Sequence, residues 1–186
     1  MPSTDETFKG KCRELHKLAV ARFDILEAQF ASQAMIEKVA AMGDDLYYPL
    51  FVTIVICYAR PFARNNEYGS LGKKWERFPN KVLTGMHKQL LDARNRFVAH
   101  SDANARQTEI VPAGCAYPGT NRIQGKATCA VGRFAIPLEN FPLAKMNCQY
   151  LISNLNSRID ALLDDIVPSL DLQDRPVQLR PLYSST

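Results

Sequence analysis

The spacing of apolar residues along the chain predicts a mostly helical protein. Between Phe8 and Phe30 the apolar positions recur every three or four residues, which is the period of one helix face. A second, shorter helix is predicted over 33–42, where the pattern stops near Gly43. The polar residues that suit the first helix N-cap and first turn are Ser3, Thr4 and Asp5.

The segment 45–63 is apolar all the way round a helical wheel. Such a helix is buried either inside a protein or in an oligomer interface. A strand is also compatible with its run of β-branched residues, but its length favours a helix. Pro49 then falls in the first turn and Pro61 near the end, where proline is tolerated.

Two further helices are predicted. One begins near Asn80 and carries two adjoining stripes along its surface. The first stripe comprises Met86, Leu90, Ala93 and Phe97, and the second comprises Leu83, His87, Leu91, Arg94 and Val98. The other covers about 141–166 and ends before Pro168. The segment 65–81, rich in turn residues and charges, is predicted to be a loop.

The residues between the last two helices have a different pattern. Glycine and proline punctuate 107–137, and short β-type runs lie at 108–111 and 127–136, which predicts a β-hairpin or an irregular arm. We therefore predict an all-α domain over 1–167 with a β-type insertion at 107–137. The proline-containing tail, 168–186, is expected to be extended or disordered unless it docks on a neighbour.

The length and the charge distribution narrow the function. A chain of 186 residues fits one domain with a real core. Its net charge is only +4, but residues 59–106 hold ten basic and four acidic side chains, a local charge of +6. That bias suits an anionic partner such as nucleic acid, and a solvated charged loop is the alternative.

Other functional classes find little support. The five cysteines have no CxxC spacing and no zinc-finger pattern with histidine, so we expect no structural metal, no cofactor and a reducing cytoplasmic location. The longest apolar run, about 46–59, is too short to cross a membrane. Nucleotide-binding glycine motifs and the GxSxG and HExxH motifs are absent from the sequence.

The stretch LDARNRFVAHSD, 91–102, combines core-type residues with groups suited to RNA cleavage. Without a metal, the attacking 2′-hydroxyl must lose a proton, the leaving 5′-oxygen must gain one, and a phosphorane must be stabilised. Histidine performs such proton transfers near neutrality, and arginine binds phosphate oxygens through its planar fork. Arg94 and His100 are about 240° apart on an unbroken helix, so they converge only if the helix ends or bends between them.

The motif RNRFVAHSD resembles the signature of the HEPN superfamily (higher eukaryotes and prokaryotes nucleotide-binding domains). That signature is an arginine, a following polar residue and a histidine four to six positions after the arginine, here Arg94, Asn95 and His100. The resemblance implies a HEPN-like helical bundle. It also implies a metal-independent endoribonuclease of a toxin or defence system, in which a homodimer joins two motifs in one composite site.

The resemblance leaves a second function open, because some HEPN proteins are non-catalytic binding or interaction modules. A cognate antitoxin or another regulatory protein is an implied partner of the nuclease. The helix at 45–63 and the motif helix are candidates for the dimer interface.

Roles follow for individual residues. His100 would be the general acid and base, Arg94 would stabilise the phosphorane and Asn95 would position the phosphate. Each also has a structural alternative, for example an ion pair of Arg94 with Asp92 or with an acid on a neighbouring helix. Possible supporting residues are Arg96, Ser101 and Asp102. Weaker candidates for RNA binding by charge and stacking lie around Trp75 and are Lys73, Lys74 and Arg77, for which a solvated loop is the alternative.

Overall fold

A computed structural model of the chain describes residues 4–63, 69–96, 108–116, 122–131, 135–170 and 176–179. It is mostly helical, as predicted. The four α-helices are α1 (Thr4–Lys38), α2 (Tyr47–Ala59), α3 (Lys81–Arg94) and α4 (Phe141–Ile166). Within the described ranges, no helix combines the length and apolar character needed to cross a membrane.

Helix α1 is one continuous helix, so the predicted break between two helices near residue 31 is wrong. The sequence between Phe30 and Lys38 contains no glycine or proline that would end a helix. Its buried positions continue the apolar stripe at intervals of three and four residues through Ala28, Ala31 and Met35.

Helix α2 buries one side within its own chain, whereas Leu50, Val52 and Ile56 on its other side are only partly buried. At its start, the Tyr47 hydroxyl lies 2.7 Å from the carbonyl oxygen of Ile136 and 3.1 Å from the backbone nitrogen of the same residue. The helix leads into a 3₁₀ turn, Arg60–Phe62. The side chains of α2 that the core buries are Tyr47, Phe51, Ile54, Val55, Cys57, Tyr58 and Ala59.

The four helices surround one apolar core. Helices α1 and α3 each pack against both α2 and α4. Helices α1 and α4 run antiparallel, since Arg22 bonds to Asn156 while Lys11, earlier in α1, pairs with Asp165, later in α4. Each large apolar side chain that this packing removes from water stabilises the fold by roughly 1.5–3 kcal/mol.

The β-type insertion contains a hairpin, as predicted. Strand β1 (Thr108–Val111) pairs antiparallel with β2 (Thr128–Val131), with Thr108 opposite Val131 and Val111 opposite Thr128. After the hairpin, Ile136 enters the core, and its backbone is held by the Tyr47 hydroxyl.

Two segments pack more closely on the bundle than their sequences predict. In the described part of the predicted loop, Leu71 and Trp75 are buried, and the backbone nitrogen of Leu71 donates to the carbonyl oxygen of Pro61 at 2.7 Å. A 3₁₀ turn forms at Lys73–Glu76. In the tail, Leu179 is partly buried against the core.

Candidate functional site

The candidate motif begins at the C-terminal end of α3, and the start of that helix is set by a side-chain cap. The Asn80 side-chain oxygen accepts a hydrogen bond from the backbone nitrogen of Leu83 at 2.9 Å, which satisfies one of the free N–H groups of the first turn. The core then buries one face of α3, as the apolar stripes predict. That face comprises Leu83, Met86, His87, Leu90 and Ala93.

Helix α3 extends through Arg94, and Asn95 and Arg96 continue it in a π-helical turn. The backbone N–H of Asn95 donates to the carbonyl oxygens of both Asp92 and Leu91. Such wider turns occur frequently at functional sites. The π-helical turn therefore lies directly after Arg94, and the backbone of Asn95 keeps helical φ and ψ angles of −64° and −39°.

Arg94 and Asn95 are brought together by this turn. The Arg94 guanidinium donates from Nη1 to the side-chain oxygen of Asn95 at 3.2 Å. Arg94 is half-buried and Asn95 is exposed. A guanidinium beside an amide presents several N–H donors in one place, which is the chemistry that binds phosphate oxygens.

Asp92 pairs with Arg96, so the alternative in which it neutralises Arg94 is wrong. The distance from Nε of Arg96 to Oδ2 of Asp92 is 2.8 Å, and the two residues are four positions apart on the same helical face. Both side chains are about half exposed. The acid nearest to Arg94 in sequence is therefore engaged by a different arginine.

The other half of the motif lies outside the described residues. This applies to His100, the proposed proton-transfer residue, and to the possible supporting residues Ser101 and Asp102. The described part of the site is therefore the arginine and amide pair at the end of α3, together with Arg96.

The weaker RNA-binding candidates lie on and after the 3₁₀ turn that precedes α3. Lys73, Lys74 and Arg77 are exposed, as a nucleic-acid contact requires. Trp75 is only 8% exposed, and Nζ of Lys74 lies 5.4 Å from the centre of its ring. The indole is therefore part of the core and does not offer a face on which a base could stack.

Sequence reasoning missed the long-range surroundings of Lys74. This side chain faces α1, where the distance from its Nζ to Oε1 of Glu14 is 3.9 Å. Lys17, also on α1, donates from Nζ to the carbonyl oxygen of Ser70. A contact between residues so far apart in the sequence has no local sequence signal.

His87 is buried two helical turns before Arg94 and belongs to the core. Its Nδ1 lies 2.9 Å from the Tyr58 hydroxyl, and the rings of Phe62 and Phe78 lie 4.8 and 5.0 Å from its own ring. Burial lowers the pKa of His87 from 6.5 to about 4, and the charge of Lys88 adds to this effect. His87 is therefore a neutral packing residue at physiological pH, as its place in an apolar stripe of the predicted helix indicates.

In the part of the chain that the structure describes, no three His, Cys, Asp or Glu side chains lie close enough together to hold a metal ion. Comparison of the chain with models of protein families, with curated proteins and with solved structures found no match.

Proposed function

We propose that this protein is a metal-independent endoribonuclease of the HEPN type. His100 acts as general acid and base, Arg94 stabilises the negative charge of the phosphorane, and Asn95 positions the phosphate. The attack of the 2′-hydroxyl on the adjacent phosphorus breaks the bond to the 5′-oxygen. The products are a 2′,3′-cyclic phosphate and a free 5′-hydroxyl group.

The observation that carries this proposal is the arrangement of Arg94 and Asn95. Their side chains are hydrogen-bonded at 3.2 Å directly after the last α-helical residue of α3. Asp92, the nearest carboxylate in sequence, is held by Arg96 at 2.8 Å. Among the described residues Arg94 therefore keeps donors for a phosphate group, and an arginine that no carboxylate neutralises favours a more negative transition state.

The π-helical turn supports the same proposal. An unbroken α-helix would place Arg94 and His100 on different faces. A change of helical geometry at Asn95 is one of the conditions under which the two side chains converge, either within one chain or across a dimer.

The chain carries one copy of the motif, so the proposed nuclease is a homodimer with a composite site. We further propose a role in a cytoplasmic toxin or defence system, in which a cognate antitoxin or regulatory protein controls cleavage. The basic segment 59–106 suits the approach of an RNA strand, because its local charge of +6 attracts the phosphate backbone.

The direct test is cleavage of RNA in EDTA by the purified protein and by a His100→Ala variant. We expect the wild type to produce 2′,3′-cyclic phosphate ends and the variant to lose cleavage. A His16→Ala variant is the matched control, because His16 lies on α1 outside the motif, and it should cleave like the wild type. Equal cleavage by wild type and His100→Ala would contradict the assignment. RNA binding without any cleavage would favour the non-catalytic HEPN-like binding module instead.

A mixing experiment tests the composite site. Dimers that combine Arg94→Ala and His100→Ala chains retain one intact Arg94 and one intact His100, on different chains. If the site is shared across the interface, mixing the two inactive variants restores part of the cleavage activity. If mixing restores nothing although the mixed dimer forms, the two residues act within one chain.

A further inference from the structure

A cleft of about 360 Å³ lies between the N-terminal part of α1 and the segment 69–76. Its volume falls at the lower end of the range for small-molecule sites. Helix α1 contributes Gly10 and Lys17 to the lining, and the facing segment contributes Gly72 and Lys74. It is formed by residues other than the Arg94 motif, and it shares only Lys74 with the weaker RNA-binding candidates.

The cleft carries a positive charge. Its lining includes three cations, Arg13, Lys17 and Lys74, and one carboxylate, Glu14. Glu14 is bound by the Arg158 guanidinium of α4 through two hydrogen bonds of 2.8 and 3.1 Å. Hydrogen bonding to Arg158 lowers the pKa of Glu14. The Glu14 carboxylate therefore stays negatively charged and paired with Arg158. At 3.9 Å, Nζ of Lys74 is beyond hydrogen-bonding distance of Glu14 and keeps donors for a ligand.

The walls of the cleft are held in place by the core. Leu71 and Trp75 are buried beneath the segment 69–76, so the backbone that carries Lys74 is anchored on the bundle. On the opposite wall, Lys17 bonds to the carbonyl oxygen of Ser70 and ties the segment to α1. A ligand would therefore meet cations in a largely preformed arrangement, which reduces the ordering cost of binding.

Two glycines, Gly10 and Gly72, line the cleft. A Cβ atom added at Gly10 or at Gly72 would meet no atom within 4 Å, so both positions border open space. Trp75 also lines the cleft, but only 8% of its surface is exposed. The cleft would therefore select a ligand by its negative charge and its small size.

We propose that this cleft binds the phosphate group of a small phosphomonoester. Such a group has a second pKa of about 6, so it is mostly dianionic at neutral pH. Its negative charge complements the two lysines, Lys17 and Lys74, that line the cleft. Lysine ammonium groups bind phosphate as point charges, and Lys17 and Lys74 supply them from opposite walls.

The test is isothermal titration calorimetry, in which glycerol 3-phosphate is added to the full chain at constant, physiological ionic strength. Glycerol is the uncharged control. We expect saturable binding of one glycerol 3-phosphate per chain and no binding of glycerol. A Lys74→Gln variant should bind about tenfold more weakly because it loses a charge-assisted hydrogen bond. Lys73→Gln, which changes a neighbouring lysine outside the cleft, should bind like the wild type.

A second pair of variants tests the cavity without changing any charge. Gly10→Leu fills the cleft from α1 and should abolish binding, whereas Gly85→Leu, at an exposed glycine of α3 with equally open surroundings, should not. Circular dichroism confirms that each variant is folded. Absence of saturable binding, or unchanged binding in both Lys74→Gln and Gly10→Leu, overturns the proposal. Equally tight binding of inorganic phosphate would overturn the ester assignment and identify free phosphate as the ligand.

Discussion

The hydroxyl group of Tyr58 lies 2.9 Å from Nδ1 of His87, and both side chains are buried where α2 meets α3. Asn147 of α4 donates from Nδ2 to the same hydroxyl at 3.4 Å and to the carbonyl oxygen of Leu83 at 2.9 Å. The three side chains therefore form one buried hydrogen-bonded group that joins α2, α3 and α4.

The first prediction concerns the pH dependence of stability. Burial lowers the pKa of His87 to about 4, whereas the ordinary value of 6.5 applies in the unfolded chain. The unfolded chain therefore binds a proton that the folded protein excludes. The stabilising contribution is complete above pH 6.5, and it is lost as the pH falls toward 4. The total loss is about 3 kcal/mol, and denaturant unfolding at a series of pH values between these limits measures it.

Two variants identify the group responsible for this dependence of the unfolding free energy on pH. His87→Phe keeps a ring among Phe62 and Phe78 but cannot titrate, so the free energy of unfolding should vary less between pH 6.5 and pH 5. His16→Gln leaves His87 in place, so its free energy of unfolding should vary with pH as in the wild type. An unchanged slope in His87→Phe would show that another group titrates in this range.

The second prediction concerns the Tyr58 hydroxyl. A Tyr58→Phe change removes a hydrogen-bond partner of His87 Nδ1 and the acceptor of Asn147 while it keeps the buried ring. Because buried polar atoms then lose a partner, we expect the free energy of unfolding to fall by about 1–3 kcal/mol. Tyr150→Phe is the matched control, since the ring of Tyr150 also packs on Phe78, at 5.5 Å, but outside this hydrogen-bonded group. A similar loss in both variants would contradict the role of the Tyr58 hydroxyl.

Local sequence patterns predicted most of the fold. Helix α3 begins after Asn80 because an asparagine side chain satisfies a free backbone N–H there, and α4 spans 141–166 as its apolar period indicates. The predicted break in α1 is wrong for a physical reason. Over 35 residues the apolar stripe drifts slowly around the helix, and this drift resembles the end of one helix and the start of another. The burial of Leu71 and Trp75 depends on packing against distant residues, which no local pattern encodes.

In the candidate site, too, local features follow from the sequence and long-range contacts do not. The adjacency of Arg94 and Asn95 follows from the sequence, and the pairing of Asp92 with Arg96 follows from their spacing of four on a helix. The π-helical turn after Arg94 has no signal in the sequence that we can identify. The proximity of Lys74 to Glu14, 60 positions earlier, requires the tertiary fold.

The third prediction concerns the ion pair between Asp24 and Arg60. The distance between Oδ1 and Nη1 is 2.6 Å, and the Asp24 side chain is only 7% exposed. Burial raises the pKa of Asp24, and the charge of Arg60 opposes that rise. Arg60→Ala leaves a buried carboxylate without its cation, so we expect a loss of about 1–3 kcal/mol in unfolding free energy at neutral pH.

The pH dependence of that loss has a definite sign. In Arg60→Ala the pKa of Asp24 rises further, and the folded state is favoured when Asp24 is protonated. The deficit relative to wild type should therefore shrink as the pH falls through the raised pKa. Adding Asp24→Asn to Arg60→Ala removes the charge and should recover part of the stability at neutral pH. A deficit that does not change with pH, with no recovery in the double variant, would indicate lost packing of Arg60 instead.

The fourth prediction separates the two arginines at the end of α3. Arg94 donates to Asn95, whereas Arg96 is held by Asp92, so the proposed nuclease needs the first guanidinium and not the second. Arg94→Ala should reduce the rate of RNA cleavage in EDTA by about 10²- to 10³-fold, the typical cost of removing a group that stabilises a transition-state charge. Arg96→Ala should change the rate only a few-fold. Arg94→Lys should be intermediate, because lysine keeps the charge but lacks the planar fork. Rates are measured on a fluorescent RNA, with circular dichroism to confirm folding, and a larger loss in Arg96→Ala than in Arg94→Ala would reverse the assignment.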